Sequence, residues 1–124
     1  MKLSKEFLLI CNYLNDLDKG IRRLVIELNF LGIKTESSCE GHNSDWHYSF
    51  PWVCIDSGCY LQSRKIISEY NTISDFQWSV KIHKPSKKWV IRPKSVDRSL
   101  DQLHQEVILL ANFLSEKRKK ERQI

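Results

Sequence analysis

The chain has little of what marks disordered or disulfide-stapled proteins: among its 124 residues are four Gly, three Pro and four Cys. With no internal repeat or low-complexity stretch, it is neither collagen-like nor a Pro/Gly-rich disordered chain, and no linker divides it. No apolar run approaches the roughly 20 residues that cross a bilayer. The first residues also lack the basic segment, apolar run and cleavage site of a secretory leader. A cytoplasmic protein with no membrane partner is therefore expected. There is no Cys-x-x-Cys pair, so the spacing matches no zinc ribbon or finger and no dense disulfide framework. In a reducing compartment Cys11, Cys39, Cys54 and Cys59 are thiols or metal ligands before they are disulfides.

Acid is missing from one long segment. Residues 76–96 hold Lys81, Lys84, Lys87, Lys88, Arg92 and Lys94 with no Asp or Glu, residues 116–122 add +3, and the rest carries −4 of the net +5. That asymmetry predicts an anionic partner for part of the surface. What is present suffices for a core: 41% hydrophobic residues, with four Trp, five Phe and four Tyr, is ordinary for a globular protein. Residues 1–124 are expected to form a single domain that needs no staple.

Hydrophobic periodicity places the elements. Phe7, Leu8, Ile10, Cys11 and Leu14 suit a short amphipathic helix over 4–14. A second helix follows, with Asp18 as cap, Ile21, Leu24, Val25, Leu28 and Leu31 as its stripe and Gly32 as a left-handed stop. Residues 33–40 and 51–55 read as two strands around a loop rich in Asn, Ser, Asp and His. If they pair antiparallel, Cys39 falls opposite or diagonal to Val53 and Cys54. Ser57-Gly58 ends the second strand, and Tyr60, Leu61, Ile66, Ile67 and Tyr70 support a helix to Asn71.

Next, Phe76, Trp78, Val80 and Ile82 alternate with Gln77, Ser79, Lys81 and His83. After the turn at 84–87, Trp89, Ile91 and Pro93 alternate with Val90 and Arg92. This predicts a hairpin pairing Ile82 with Trp89 and Val80 with Ile91, leaving Ser79, Lys81 and Arg92 on the other face. Ser95 or Asp97 can cap a last helix whose stripe is Leu100, Leu103, Val107, Leu110 and Leu114, widened by Ile108, Ala111 and Phe113. A helix over 97–122 is roughly 39 Å long, more than a small domain's width, so its basic end, 116–124, is expected to project. Self-association is a further expectation. The fold class is α+β, in the order ααββαββα, with helices on one face of a four-stranded antiparallel or mixed sheet.

The candidate site is the corner where the first strand ends in Ser37-Ser38-Cys39-Glu40-Gly41-His42. Small residues and a Gly there let the chain bend and aim side chains into a pocket. Ser38, Cys39, Glu40 and His42 are candidate ligand contacts, and Trp46 is a candidate stacking platform beside Asp45, His47, Tyr48 and Phe50. Lys81 and Arg92, with Lys88 and His83, offer a positive strip for phosphate. The plain alternatives are a buried small thiol, a solvated loop histidine, rings closing over the core edge, and an ordinary solvated charged face. Cys39 is a candidate nucleophile with His42 as its base if the loop folds back, Glu40, Asp45 or Asp56 orienting the ring. Cys39, His42, His47, Cys54 and Cys59 could supply four tetrahedral ligands for zinc. No metal and no cofactor are expected.

The pattern Gly32-Ile33-x-Thr35-x-Ser37-Ser38-Cys39-x-Gly41-His42 resembles a signature of short bacterial and phage proteins. More distantly it resembles the Ser-Cys-x-Gly-Arg strand end of wybutosine-synthesis-like tRNA methyltransferases. The likeness covers about ten residues. In the second family that corner lies by the substrate, which carries over to Ser38, Cys39 and Gly41 alone. His42 stands where the family has Arg, and no cofactor motif supports methyl transfer.

No complete catalytic set can be assembled from adjacent residues. The leading expectation is therefore a non-catalytic module that binds an anionic, nucleotide-like small molecule. The alternatives are a small Cys/His enzyme acting on a nucleotide or nucleic acid, and a nucleic-acid-binding or assembly protein that uses the basic hairpin and tail.

Overall fold

The computed structural model describes residues 19–41 and 50–122. The helix expected over 4–14, the Asp18 cap, and His42, Asp45, Trp46, His47 and Tyr48 lie outside them.

Helix α1 (Lys19–Phe30) turns Ile21, Leu24, Val25 and Leu28 into the core at 1% exposure or less. The helix stops as its sequence dictates. Gly32 takes φ +85, and two bonds close a Schellman motif: Ile33 N–H donates to the Leu28 carbonyl and Gly32 N–H to that of Asn29, both at 3.0 Å. A residue with a Cβ resists that left-handed φ, so the stop needs Gly.

The strands are β1 (Thr35–Cys39), β2 (Trp52–Ile55), β3 (Trp78–His83) and β4 (Lys88–Pro93). They form one fully antiparallel sheet in the order β1-β2-β4-β3. The hairpin register is the expected one, with Val80 opposite Ile91 and Ile82 opposite Trp89. Strand alternation then sorts the side chains. Val53, Ile55, Trp78 and Ile91 are fully buried on one face, and Trp89 stacks on Tyr60 of the next helix at 3.8 Å. In β1, Cys39 sits opposite Trp52 and Ser37 opposite Cys54, which makes the two thiols diagonal neighbours on the opposite face. The register shifts between Thr35 and Ser37, so Glu36 is the extra residue of a bulge.

A 3₁₀ turn (Ser57–Cys59), capped by the Asp56 carboxylate, leads into α2 (Tyr60–Asn71). The Asn71 side chain bonds both the N–H and the carbonyl of Trp78, at 3.0 and 2.8 Å, docking the helix end on edge strand β3. Helix α3 (Leu100–Arg122) buries Leu103, Val107, Leu110, Ala111 and Leu114. All three helices cover one face of the sheet, their apolar stripes meeting Val53, Ile55, Trp78 and Ile91 in a single cluster. Each fully buried aliphatic side chain contributes about 1.5–3 kcal/mol.

Several details differ from the sequence reading. The cap of α3 is Ser99: its hydroxyl accepts from Gln102 N–H at 3.2 Å while the Gln102 side chain accepts from Ser99 N–H at 3.0 Å. This reciprocal pairing satisfies two otherwise orphaned donors, more than Ser95 or Asp97 alone can do; those two bond each other instead. Leu61 is 75% and Ile108 49% exposed, because each lies outside the stripe its helix turns to the sheet.

Two basic residues near the end of α3 are held against the domain, while Lys119 and Lys120 stay exposed. Arg118 makes a two-pronged pair with the nearly buried Glu27 at 3.2 and 3.4 Å and lies 4.3 Å from the Phe30 ring centre. Lys117 pairs with Glu69 at 2.7 Å. No described helix is long and apolar enough to cross a membrane.

Candidate functional site

The described helices occupy one face, and no described helix covers the other face of the sheet. Across the four strands the row Ser37, Cys54, Val90, Lys81 points to that other side. Flanking it are Cys39 opposite Trp52, Ser79 opposite Arg92, and Lys88 opposite His83. All of these but Cys39, together with Phe50 and the adjoining turn, line a cleft of about 480 Å³, within the usual range for small-molecule sites. Its described walls carry Lys81, Lys88, Arg92 and Lys94 and no Asp or Glu, while Glu36 stands beside them, paired with Lys88. Two half-buried rings, Phe50 and Trp52, close one end.

Local structure fixes the cationic groups to different degrees. The Arg92 guanidinium lies 4.1 Å from the centre of the Phe50 ring, and its Nε–H donates to the Pro93 carbonyl at 3.3 Å. Arg92 thus holds a defined orientation, and its planar fork suits phosphate or carboxylate oxygens. Lys81 and Lys94 are exposed and have no ion pair among the described residues. Lys88 reaches Glu36 at 2.9 Å, and that hydrogen bond with the Glu36 charge pushes its pKa up. The bulge is what brings Glu36 to this face: on a regular β1 it would point opposite to Ser37.

The thiols occupy separate surroundings. Cys54 is buried beneath the cleft with Sγ 3.9 Å from Glu36 Oε2. Burial pushes its pKa up, so it remains a thiol at neutral pH. Cys39 Sγ accepts from Gly41 N–H at 3.4 Å. Cys59 lies at the start of β1, accepting from Lys34 N–H at 3.4 Å and donating to the Gly32 carbonyl at 3.7 Å. No three His, Cys, Asp or Glu gather as metal ligands among the described residues, and Cys59 stands at the end of β1 opposite Cys39.

Of the residues expected at the site, Lys81 and Arg92 share the cleft. Ser38 pairs with core residue Val53 and points to the helical side, so Ser37 is the serine that reaches the cleft. Glu40 binds the body of the fold. Its carboxylate accepts from Gly20 N–H in the first turn of α1 at 2.7 Å, and its carbonyl accepts from His104 of α3 at 2.7 Å. His42 and Trp46 lie outside the described residues. Gly41, at φ +88, sits so close to Phe50 that an added Cβ would stand 2.8 Å from the Phe50 carbonyl carbon. The end of β1 and the Phe50 rim of the cleft therefore touch.

Sequence reasoning missed Trp52 and Ser79 as lining residues, while Ser37, read with Ser38 as able to bond a sugar or phosphate, does line the cleft. For Trp52 the signal was absent, since Trp52-Val53-Cys54-Ile55 has no polar position to show which side faces out. For Ser79 the hairpin alternation already placed it with Lys81 and Arg92, and only its role was overlooked. The cleft stands on its geometry alone: no family model, curated protein or solved structure matches the chain.

Proposed function

We propose that the sheet face away from the three helices is a non-catalytic binding site for an anionic ligand that carries a planar ring, of nucleotide type. The observation that carries this reading is a concave face with four basic side chains, no acid among its described lining residues, and an aromatic end wall; Lys88 is taken up by Glu36, which leaves Arg92, Lys81 and Lys94 for the anion. Arg92 and Lys81 meet the phosphate, the hydroxyls of Ser37 and Ser79 bond the sugar or ring edges, and Phe50 and Trp52 contact the planar group. Charge-assisted bonds from a pre-oriented Arg supply much of the affinity, while the aromatic wall supplies apolar contact of matching shape. The one described hydroxyl–imidazole contact lining the cleft, His83 Nδ1 with Ser86 Oγ at 2.9 Å, sits in the exposed hairpin turn, and Cys54 is a buried thiol with a carboxylate beside it.

The test is isothermal titration with AMP, ADP and the uncharged nucleoside adenosine. The nucleotides bind saturably and adenosine binds far more weakly. Arg92→Ala weakens nucleotide binding by about tenfold or more, as expected for loss of a charge-assisted pair, with Lys81→Ala acting in the same direction. Nucleotide binding that is absent, or unchanged in both variants, refutes the reading.

A further inference from the structure

We propose that the physiological ligand of this face is single-stranded nucleic acid, lying along β4 with one nucleotide seated against Phe50 and Trp52. The inference rests on the nucleotide-binding reading above and narrows the ligand from a free nucleotide to a strand. Three observations carry it.

The first is the extent of the positive surface. The cleft is lined from Lys88 and Ser86 at the hairpin end to Arg92, Pro93 and Lys94 at the other. At about 3.3 Å per residue, the path from Lys88 to Lys94 is roughly 20 Å. Even at a stacked spacing of about 3.4 Å per nucleotide that lane holds several consecutive phosphates, where a mononucleotide engages one end. The second is the spacing of charge. Lys88, Arg92 and Lys94 stand along β4, Lys81 beside them on β3, and Lys84 and Lys87 extend the run at the exposed turn. A single phosphate group cannot use cations so spread out, whereas a polyanion can. The third is the shape of the surface. An antiparallel sheet with one face that no described helix covers, aromatic rings at one end and serine hydroxyls between the cations offers stacking and hydrogen bonds to unpaired bases. A duplex hides those base faces.

Fluorescence anisotropy with labelled ten-residue oligo(U) and oligo(dT), competed by UMP and by a duplex of equal length, tests the inference. The expected result is binding of the single strands at least tenfold tighter than UMP or the duplex. The logarithm of affinity should fall against the logarithm of salt with a slope near −2, from about 0.7 per cation engaged for Lys81, Arg92 and Lys94. Lys81→Ala and Lys94→Ala each take roughly 0.7 off that slope. Both side chains are exposed, and circular dichroism checks that the variants stay folded. If UMP binds as tightly as the oligonucleotides, or the duplex binds equally well, the strand inference fails and the nucleotide reading stands. If neither nucleotide nor strand binds, both fail.

Discussion

Gly41→Ala tests whether the corner at the end of β1 is built as described, and Gly32→Ala is its internal control. Both glycines hold nearly the same left-handed conformation, φ +88 and +85. Adding a Cβ therefore costs each about 1–2 kcal/mol of backbone strain, partly offset by about 0.4–1 kcal/mol from a less flexible unfolded chain. Those contributions cancel in the comparison. The surroundings differ: nothing lies within 4 Å of a Cβ at Gly32, whereas one at Gly41 stands 2.8 Å from the Phe50 carbonyl carbon and 2.9 Å from Leu100 Cδ1. Leu100 can turn aside, but the Phe50 backbone must move, and forced shifts of packed backbone cost about 1–3 kcal/mol. Gly41→Ala should thus melt roughly 5–15 °C below Gly32→Ala in a thermal scan followed by circular dichroism. Because Phe50 carries Arg92 over its ring, Gly41→Ala also weakens nucleotide binding measured well below the transition, and Gly32→Ala does not. Equal melting temperatures for the two variants would refute the close approach.

Four other outcomes follow from the same geometry. Arg118→Ala leaves the nearly buried Glu27 without its pair and should lower stability by about 2–4 kcal/mol in urea denaturation; Lys119→Ala, whose pair with Glu116 is exposed on both sides, should change it by less than about 0.5 kcal/mol. Cys54 should be the slowest of Cys39, Cys54 and Cys59 to react with iodoacetamide at pH 8, read by peptide mass spectrometry, because burial both blocks access and raises its pKa. The sign of that shift means Cys54 favours the fold only while protonated, so Cys54→Ser should lessen the stability lost as pH rises above 9.0, the ordinary thiol value. Glu36→Gln releases Lys88 from its carboxylate and should tighten anion binding, steepening the salt slope by about 0.7; weaker binding in this variant would show that Glu36 itself contacts the ligand.

Much of the fold was legible because it follows from local rules. The Gly32 stop, the α1 stripe and the β3–β4 register are set by residues within a few positions of one another, through backbone sterics, the 3.6-residue helical period and the two-residue strand period. The Ser99–Gln102 cap was equally local, although Ser95 and Asp97 offered competing caps close by. What misled the reading was exposure. Leu61 and Ile108 are apolar and sit within helical patterns, but which side of a helix is covered depends on the sheet it meets.

The candidate site divides along the same line. The sequence by itself determined that Lys81, Ser79 and Arg92 share a face, since alternation within one hairpin allows nothing else. It also concentrated positive charge there without any acid. Tertiary packing decided that the described helices all lie on the other face, that β2 pairs with β4 and so brings Trp52 and Cys54 beside the cations, and that Glu40 binds α1. It also decided that Arg118 and Lys117 are taken up by Glu27 and Glu69 rather than left projecting. The physical reason is distance along the chain. Periodicity acts between neighbours, whereas strand order and ion pairing join residues tens of positions apart, and those are selected by burial of the whole core at once.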